Sequence, residues 1–151
     1  MNVILRPARS TDAGKTGAIL HGFARENNWM PELHSEAETI AFCGRMIDLG
    51  WVTVAEVLGQ VAGFLALDGE EVQSLYLTAP ARGQGIGQQL LDLAKTQRPN
   101  LNLYAFQANH RACRFYERNG FVEVARSDGS ENDENLPDIK YVWTREEEVD
   151  V

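Results

Sequence analysis

The chain is poor in cysteine, in histidine and in positive charge, and each shortage argues against a class of protein. Its cysteines are Cys43 and Cys113, too few for a disulfide scaffold, so two reduced thiols in a cytoplasmic protein are the simplest expectation. The three histidines and two cysteines have no zinc spacing, so no metal is expected.

Basic residues number 14 against 22 acidic ones, for a net charge of −8, which argues against a nucleic-acid partner because phosphate contacts need a basic face. No apolar run approaches the roughly 18–20 residues of a membrane span. The opening residues, Met1–Arg6, lack the basic, apolar and small-residue order of a signal peptide. We therefore expect no membrane partner and a cytoplasmic location.

What the chain does contain is typical of a globular domain. Apolar residues make up 44% and charged residues 24% of 151 positions, enough for one domain with a real core, which we take as 1–151. Periodicity, caps and turn residues predict the order β-α-α-β-β-β-α-β-α-β-β. The predicted strands are Val3–Arg6, Trp51–Val57, Gln60–Leu67, Glu71–Leu77, Leu101–Phe106, Phe121–Ser127 and Ile139–Arg145.

A glycine-rich loop, Ala81–Gly87, joins an apolar strand to a helix predicted from about Gln84 to Gln97. Its three glycines leave amide N–H groups unshielded at a helix start, where the dipole favours phosphate. A dinucleotide fingerprint starting at Gly83 would need glycine at position 88, where the chain has Gln88. A Walker A loop ending at Gly14–Thr16 would need glycine at position 9, where the chain has Arg9. Both of these nucleotide-loop interpretations fail on register.

A second motif, Asn109–Tyr116 followed by Asn119–Phe121, lies further along the chain. The two motifs together resemble the GNAT (GCN5-related N-acetyltransferase) superfamily. The order of elements matches that fold from about residue 2 to 145, although the specific motifs cover only residues 71–121. The resemblance implies a single mixed α/β domain, with a mostly antiparallel sheet flanked by helices and splayed at an acetyl-CoA site.

The resemblance also implies an acetyl-CoA-dependent N-acetyltransferase that acts on a primary amine by direct attack in a ternary complex. The alternatives are a non-catalytic acyl-CoA sensor and a protein-interaction module on the same scaffold, and a homodimer is left open. Loop amides would bind the pyrophosphate, the strand edge would bind the pantetheine arm, and Arg82 would add a phosphate contact unless it is a solvated charge. The residues assigned to the donor are Leu75, Tyr76, Leu77, Arg82, Gly83, Gln84, Gly85, Ile86, Gly87, Gln88, Asn109 and Tyr116.

Tyr116 matches the family position that protonates the departing CoA thiolate. A phenol of pKa ~10 can donate to a thiolate whose conjugate acid lies near ~8.5 if it is within reach of sulfur. The alternative is a core tyrosine packed beside Phe115. Asn109 matches a CoA-contacting position and is equally suited to be a plain helix N-cap.

The general base is left open by the sequence. Glu71 matches a glutamate of the histone acetyltransferases in this superfamily, and alternation predicts that it faces the same side as Leu75 and Leu77. It also follows Asp68-Gly69, a dipeptide typical of a type I′ turn, where exposed acids are common. Its rivals are Glu32, His34 and Tyr104, or a water chain without a dedicated base.

In the GNAT fold the acceptor enters between the connection of the first two helices and the loop before the last strand, here 29–34 and 128–138. An apolar wall beside carboxylates suits a small amine or a lysine-like side chain. The alternative is that the apolar residues cap the core and that the acids, including the run 146–150, are solvated. The candidate acceptor residues are Trp29, Leu33, His34 and Tyr104.

Overall fold

The computed structural model describes residues 2–146, which build a seven-stranded sheet with two helices on each face. The helices are α1 (Ala13–Glu26), α2 (Glu36–Asp48), α3 (Ile86–Gln97) and α4 (His110–Arg118). The strands are β1 (Val3–Pro7), β2 (Val52–Val57), β3 (Gln60–Asp68), β4 (Glu71–Leu77), β5 (Asn100–Phe106), β6 (Val122–Ser127) and β7 (Asp138–Thr144). Within these residues, none of the helices is both long and apolar enough to cross a bilayer.

The strand order is β1-β2-β3-β4-β5-β7-β6, and β4 and β5 are parallel whereas all other neighbours are antiparallel. Helix α3 is the crossover that a parallel pair requires. The two parallel strands meet at a single register pair, Glu71 with Asn102, and separate beyond it. The predicted mixed α/β class with a mostly antiparallel, splayed sheet is confirmed.

Two apolar clusters lie on opposite faces of the sheet. Helices α1 and α2 pack residues such as Ile19 and Met46 against Phe64 of β3. Helices α3 and α4 pack Leu90 and their other apolar residues against a cluster that includes Tyr141 of β7. Each helix therefore buries the face on which its apolar residues recur at helical spacing.

The starts of α1 and α3 compare differently with the sequence. Asp12, one of three residues of N-cap type at 10–12, is the N-cap of α1, which starts at Ala13 after a 3₁₀ turn over Ser10–Asp12. Helix α3 starts at Ile86, two residues after the predicted Gln84. The reason is local, because Gly83 and Gly85 have φ values of +75° and +82°, which no right-handed helix accommodates.

The turn between β3 and β4 differs in type from the prediction. Its central residues are Gly69-Glu70, and of the two only Gly69 has a positive φ, at +60°. That is the pattern of a type II′ turn, so the type I′ prediction for Asp68-Gly69 is wrong. Both central residues have positive φ instead in the preceding hairpin, at Leu58-Gly59 (+52° and +76°).

Strand β4 carries a β-bulge at Gln73, opposite Ala66–Leu67 of β3. The extra residue reverses the alternation of side chains, so Val72 belongs to the same core cluster as Leu75. Glu71 therefore points to the other face of the sheet. The prediction that it shares a face with the leucines of this strand is wrong, because alternation holds only in an unbulged strand.

Candidate active site

A cleft opens where β4 and β5 separate, and residues from α1, both strands and α4 line it. It encloses about 70 Å³. Five residues that the sequence assigned to donor or acceptor line it together: Leu75, Tyr76, Tyr104, Asn109 and Tyr116. The predicted donor residues Leu77 and 82–88 are not among the residues that line it, so the cleft unites the strand before the loop, Tyr104 and the second motif.

Tyr116 is both a core residue and a cleft residue. Its ring lies among those of Phe115, Phe121 and Tyr141, with centroids 5.4, 5.6 and 6.2 Å away, and its side chain lines the cleft. Burial raises the pKa of Tyr116 above its ordinary value, so the phenol stays protonated at neutral pH. The two interpretations of this residue made from the sequence are therefore compatible.

Asn109 is the N-cap of α4, and its side chain accepts a hydrogen bond from the Ala112 N–H at 3.2 Å. It also lines the cleft. The capping interpretation is confirmed, and the cap fixes the asparagine beside the mouth of the cleft whether or not it contacts a ligand.

Tyr76 joins the cleft to an aromatic cluster. Its ring lies 5.0 Å from that of Phe23 on α1 and 6.1 Å from that of Phe64. Burial raises the pKa of Tyr76 to about 12, and the negative charge of Glu134 contributes in the same direction. The Tyr76 ring thus ties α1 to the wall of the cleft.

Of the predicted acceptor residues, Trp29 lies beside the cleft and Tyr104 lines it. The Trp29 ring packs edge-on against Phe23 at 5.8 Å and against Phe106 at 5.9 Å, and both of these partners line the cleft. Tyr104 is 55% exposed, with Lys140 Nζ 5.7 Å from its ring centre. The sequence analysis did not predict a site role for Phe106. The available signal was its position as an aromatic residue at the end of a predicted strand.

Leu33 and His34 do not line the cleft. Leu33 is exposed, and His34 is a surface residue whose Nδ1 lies 3.7 Å from Glu38. Glu32, another candidate for the general base, is also a surface residue, and its Oε1 lies 3.7 Å from Arg25 Nε. These residues belong to the exposed connection between α1 and α2, and their predicted roles find no geometric support here.

Glu71 also lies outside the residues that line the cleft. It pairs with Asn102 at the closed end of the gap between β4 and β5, and its carboxylate accepts a hydrogen bond from Gln73 Nε2. Its neighbour Val72 does line the cleft, so Glu71 could act on an acceptor amine only through a bridging water.

The glycine loop presents its backbone at the start of α3. The first helical hydrogen bond runs from the Gln89 N–H to the Gly85 carbonyl, which leaves the N–H groups of 86–88 outside the helical ladder. A Cβ at Gly83 or Gly85 would meet nothing within 4 Å. At Gly87 it would lie 3.6 Å from Phe115 instead, so this glycine faces the interior and the expectation that its missing side chain makes room for phosphate is wrong.

The guanidinium of Arg82 is held at one corner in this structure and is not a fully solvated charge. Its Nη2 lies 2.8 Å from Glu26 Oε2 and donates to the Leu77 carbonyl at 3.4 Å. Gln84 Nε2 donates to the Pro80 carbonyl at 2.7 Å, whereas Ile86 is buried and can offer only its backbone. The ion pair with Glu26 was not predicted, because the two residues are distant in sequence.

The acidic loop 128–138 is held by its own hydrogen bonds. Asn132 donates to the Leu136 carbonyl at 2.8 Å and accepts from the Leu136 N–H at 3.1 Å. Ser130 hydrogen bonds lower the pKa of Asp128. Most of the other predicted acidic run, 147–150, lies outside the described residues. In the described part, 2–146, no group of three His, Cys, Asp or Glu residues is placed to hold a metal ion.

Residues 48–123 match the family model described as an acetyltransferase (GNAT) domain. The chain belongs to the GNAT family. The predicted resemblance is thereby confirmed, while the extension of the domain to all of 1–151 stays a prediction.

Named relatives match the chain over part of their length. Peptidyl-lysine N-acetyltransferase YjaB from Salmonella typhimurium is 31% identical over 93 residues, covering 62% of this chain and 63% of that protein. 5-NmdU N-acetyltransferase from Pseudomonas phage PaMx11 is 34% identical over 91 residues, covering 54% of this chain and 64% of that protein. The matched region therefore spans less than two thirds of either relative.

Solved structures support the GNAT fold over nearly the whole chain. Apo YjaB from Escherichia coli superimposes with a TM-score of 0.78 at 22% identity, covering 97% of this chain and 100% of that one. The putative acetyltransferase yncA from Salmonella typhimurium, solved with acetyl-CoA, gives a TM-score of 0.73 at 20% identity, covering 100% and 98%. At these identities the likeness establishes the fold alone.

Proposed function

We propose that the protein is an acetyl-CoA-dependent N-acetyltransferase that acetylates a primary amine. The observation that carries the proposal is the cleft between β4 and β5, which has Asn109 and Tyr116 of the second motif in its wall. Family membership and the acetyl-CoA complex of yncA support the choice of donor.

In this proposal the donor is bound mainly by backbone. The N–H groups of 86–88 and the dipole of α3 bind the pyrophosphate. Past the pair of Glu71 with Asn102, β4 has no register partner on β5. Its outward backbone groups at Leu75–Leu77 are then available to pair with the amides of the pantetheine arm. A backbone N–H of this strand also polarises the thioester carbonyl.

Acetyl-CoA supplies a thioester that an uncharged amine can attack. Tyr116 donates its hydroxyl proton towards the departing sulfur. For an unperturbed phenol and thiol, complete transfer is uphill by about 1.5 pKa units, or about 2 kcal/mol, and the raised pKa of Tyr116 increases that cost. The principal contribution of Tyr116 is then a hydrogen bond that strengthens as negative charge develops on sulfur.

The amine must lose a proton before it attacks, and none of the described carboxylates lines the cleft. We keep Glu71 as the proposed base, acting through water from the closed end of the gap, because it is the neighbour of a cleft residue. Tyr104 and a water chain without a dedicated base are the alternatives. Only kinetics with Glu71→Gln and Tyr104→Phe can separate these routes.

For the acceptor we propose an amine on an apolar stem, with a peptide lysine as the first choice. The aromatic group of Phe23, Trp29 and Phe106 at the cleft suits the apolar stem of such an amine. The printed activity of the YjaB relatives, peptidyl-lysine N-acetylation, supports the same choice.

The test is thiol release from acetyl-CoA over a panel of amines, with binding of acetyl-CoA measured separately. The panel contains a lysine peptide, the same peptide with lysine replaced and a free N-terminus, free lysine and a small diamine. We expect the fastest release with the lysine peptide. Tight acetyl-CoA binding with no release from any amine would favour the non-catalytic sensor, and absence of binding would leave an interaction module.

A further inference from the structure

The ion pair between Glu26 and Arg82 connects two parts of the molecule that the sequence treats separately. Glu26 is the last residue of α1, and Arg82 is the second residue of the glycine loop that follows β4. Their closest atoms, Oε2 and Nη2, are 2.8 Å apart, with side-chain exposures of 43% and 30%. The pair is therefore partly shielded from solvent, at the junction of α1 and the loop.

The position of Glu26 is unfavourable for an acid on local grounds. The C-terminus of a helix carries partial negative charge, so a carboxylate there is repelled and a cation is preferred. Asn27 caps this end by donating from its neutral Nδ2 to the Phe23 carbonyl at 2.8 Å. The basic residue of the last turn, Arg25, lies beside a different acid, with its Nε 3.7 Å from Glu32. The guanidinium of Arg82 supplies the balancing positive charge. The contact with Arg82, and not the helix end itself, therefore accounts for a glutamate at position 26.

The geometry leaves most of the guanidinium available. Both contacts of Arg82, with Glu26 and with the Leu77 carbonyl, are made by Nη2. A guanidinium has five N–H donors in a fixed plane, so the donors on Nε and Nη1 remain for a phosphate oxygen. Holding one corner of a planar cation also fixes the direction of its free edge.

We propose that Glu26 is a positioning residue, which orients Arg82 so that its free edge binds a phosphate group of the donor. This inference rests on the proposed function, because it requires acetyl-CoA as the ligand. Glu26 itself does not contact the donor. Since partly exposed ion pairs contribute little, its loss should weaken acetyl-CoA binding by about 2- to 5-fold.

The experiment is a double-mutant cycle on acetyl-CoA affinity, measured by calorimetry with Glu26→Gln, Arg82→Ala and the double variant. We expect the 2- to 5-fold loss for Glu26→Gln in the wild-type background and no further loss when Arg82 is already alanine. Glu26→Asp should recover part of the affinity. Glu123→Gln removes a comparable exposed carboxylate, paired with Arg126 on β6, and should leave the affinity unchanged.

Three results would overturn the inference. The first is an unchanged acetyl-CoA affinity in Glu26→Gln. The second is a higher affinity in Glu26→Gln, which would mean that the carboxylate competes with phosphate. The third is a loss of affinity on Glu26→Gln that is equally large when Arg82 is already alanine. Circular dichroism of each variant checks that α1 is intact. A wild-type protein that does not bind acetyl-CoA would instead contradict the proposed function, so the two failures are distinguishable.

Discussion

Replacing Gly85 by alanine tests two possible reasons for a glycine at this position. One is the left-handed backbone conformation of the loop, and the other is the binding of phosphate to the loop amides. Gly85 caps α3 with a φ of +82°, a left-handed conformation that costs an alanine about 1–2 kcal/mol. A Cβ there would meet nothing within 4 Å, so no packing penalty is added. Because 1 kcal/mol shifts the Tm of a domain of this size by about 2–4 °C, Gly85→Ala should lower Tm by about 2–8 °C.

Gly87→Ala is the matched control, since it adds the same methyl group two residues away. Gly87 lies inside α3, and its Cβ would lie at ordinary contact distances of 3.6 Å from Phe115 and 3.7 Å from Leu77. Alanine is favoured over glycine within a helix by about 0.5–1 kcal/mol. The Tm of Gly87→Ala should therefore be unchanged or rise by a few degrees.

The assay combines thermal unfolding with calorimetric titration of acetyl-CoA at a temperature where both variants are folded. The added methyl of Gly85→Ala should displace phosphate from the loop amides. Loss of one hydrogen bond to a charged group, about 1.5–3 kcal/mol, corresponds to a loss of affinity of about 10- to 100-fold. Gly87→Ala, whose methyl points inward, should bind within about threefold of wild type, well under 1 kcal/mol.

Two results would refute this reasoning in different places. A Tm for Gly85→Ala at or above that of Gly87→Ala would mean that the left-handed conformation is not what requires glycine at this position. Tm values that follow the expectation, with equal acetyl-CoA affinity in both variants, would mean that the loop amides do not bind the donor.

Three further predictions concern single side chains. Tyr116→Phe should reduce kcat by about 100-fold and change acetyl-CoA affinity little; unaltered turnover would exclude this hydroxyl as the acid. Asn109→Ala should cost about 1 kcal/mol in urea unfolding, because it removes the α4 cap; no change would show that the cap is not stabilising. Hydrogen bonds from Arg6 lower the pKa of Asp12, so their stabilisation is present above the unfolded pKa of 3.8 and lost as pH falls through the folded value. Asp12→Asn should therefore cost about 1–3 kcal/mol near pH 7 and less near pH 3, and a cost independent of pH would contradict the ion pair.

The order of elements could be predicted because it depends on local patterns. The capping box of Ser35 and Glu38 at the start of α2 and the apolar spacing of α1 are readable within a few residues. The cleft residues Tyr116 and Asn109 were also predictable, since their motif lies on one short helix. Resemblance supplied their assignment, and the structure places both residues at the cleft.

What the sequence did not predict depends on pairing between distant segments. The bulge at Gln73 exists only relative to β3, and it alone reverses the face of Glu71. The ion pair of Glu26 with Arg82 depends on where the end of α1 lies relative to β4. Neither feature has a signal within a window of ten residues, so the sequence leaves both the general base and the surroundings of Arg82 undetermined.

The structure changes the value of two features as evidence for a ligand. The loop glycines are weaker evidence than their sequence pattern suggests, whereas the separation of β4 and β5 is stronger evidence than the glycines. Gly83 and Gly85 have positive φ, so the backbone requires them with or without phosphate, and Gly87 faces the interior. The separation of β4 from β5 after one pair begins at the bulge of Gln73, which bends β4, and it gives up hydrogen bonds that a continuous ladder would make. A polar, strand-like ligand that pairs with the freed groups of β4 compensates for that loss, and the amide-bearing arm of the donor has this chemistry.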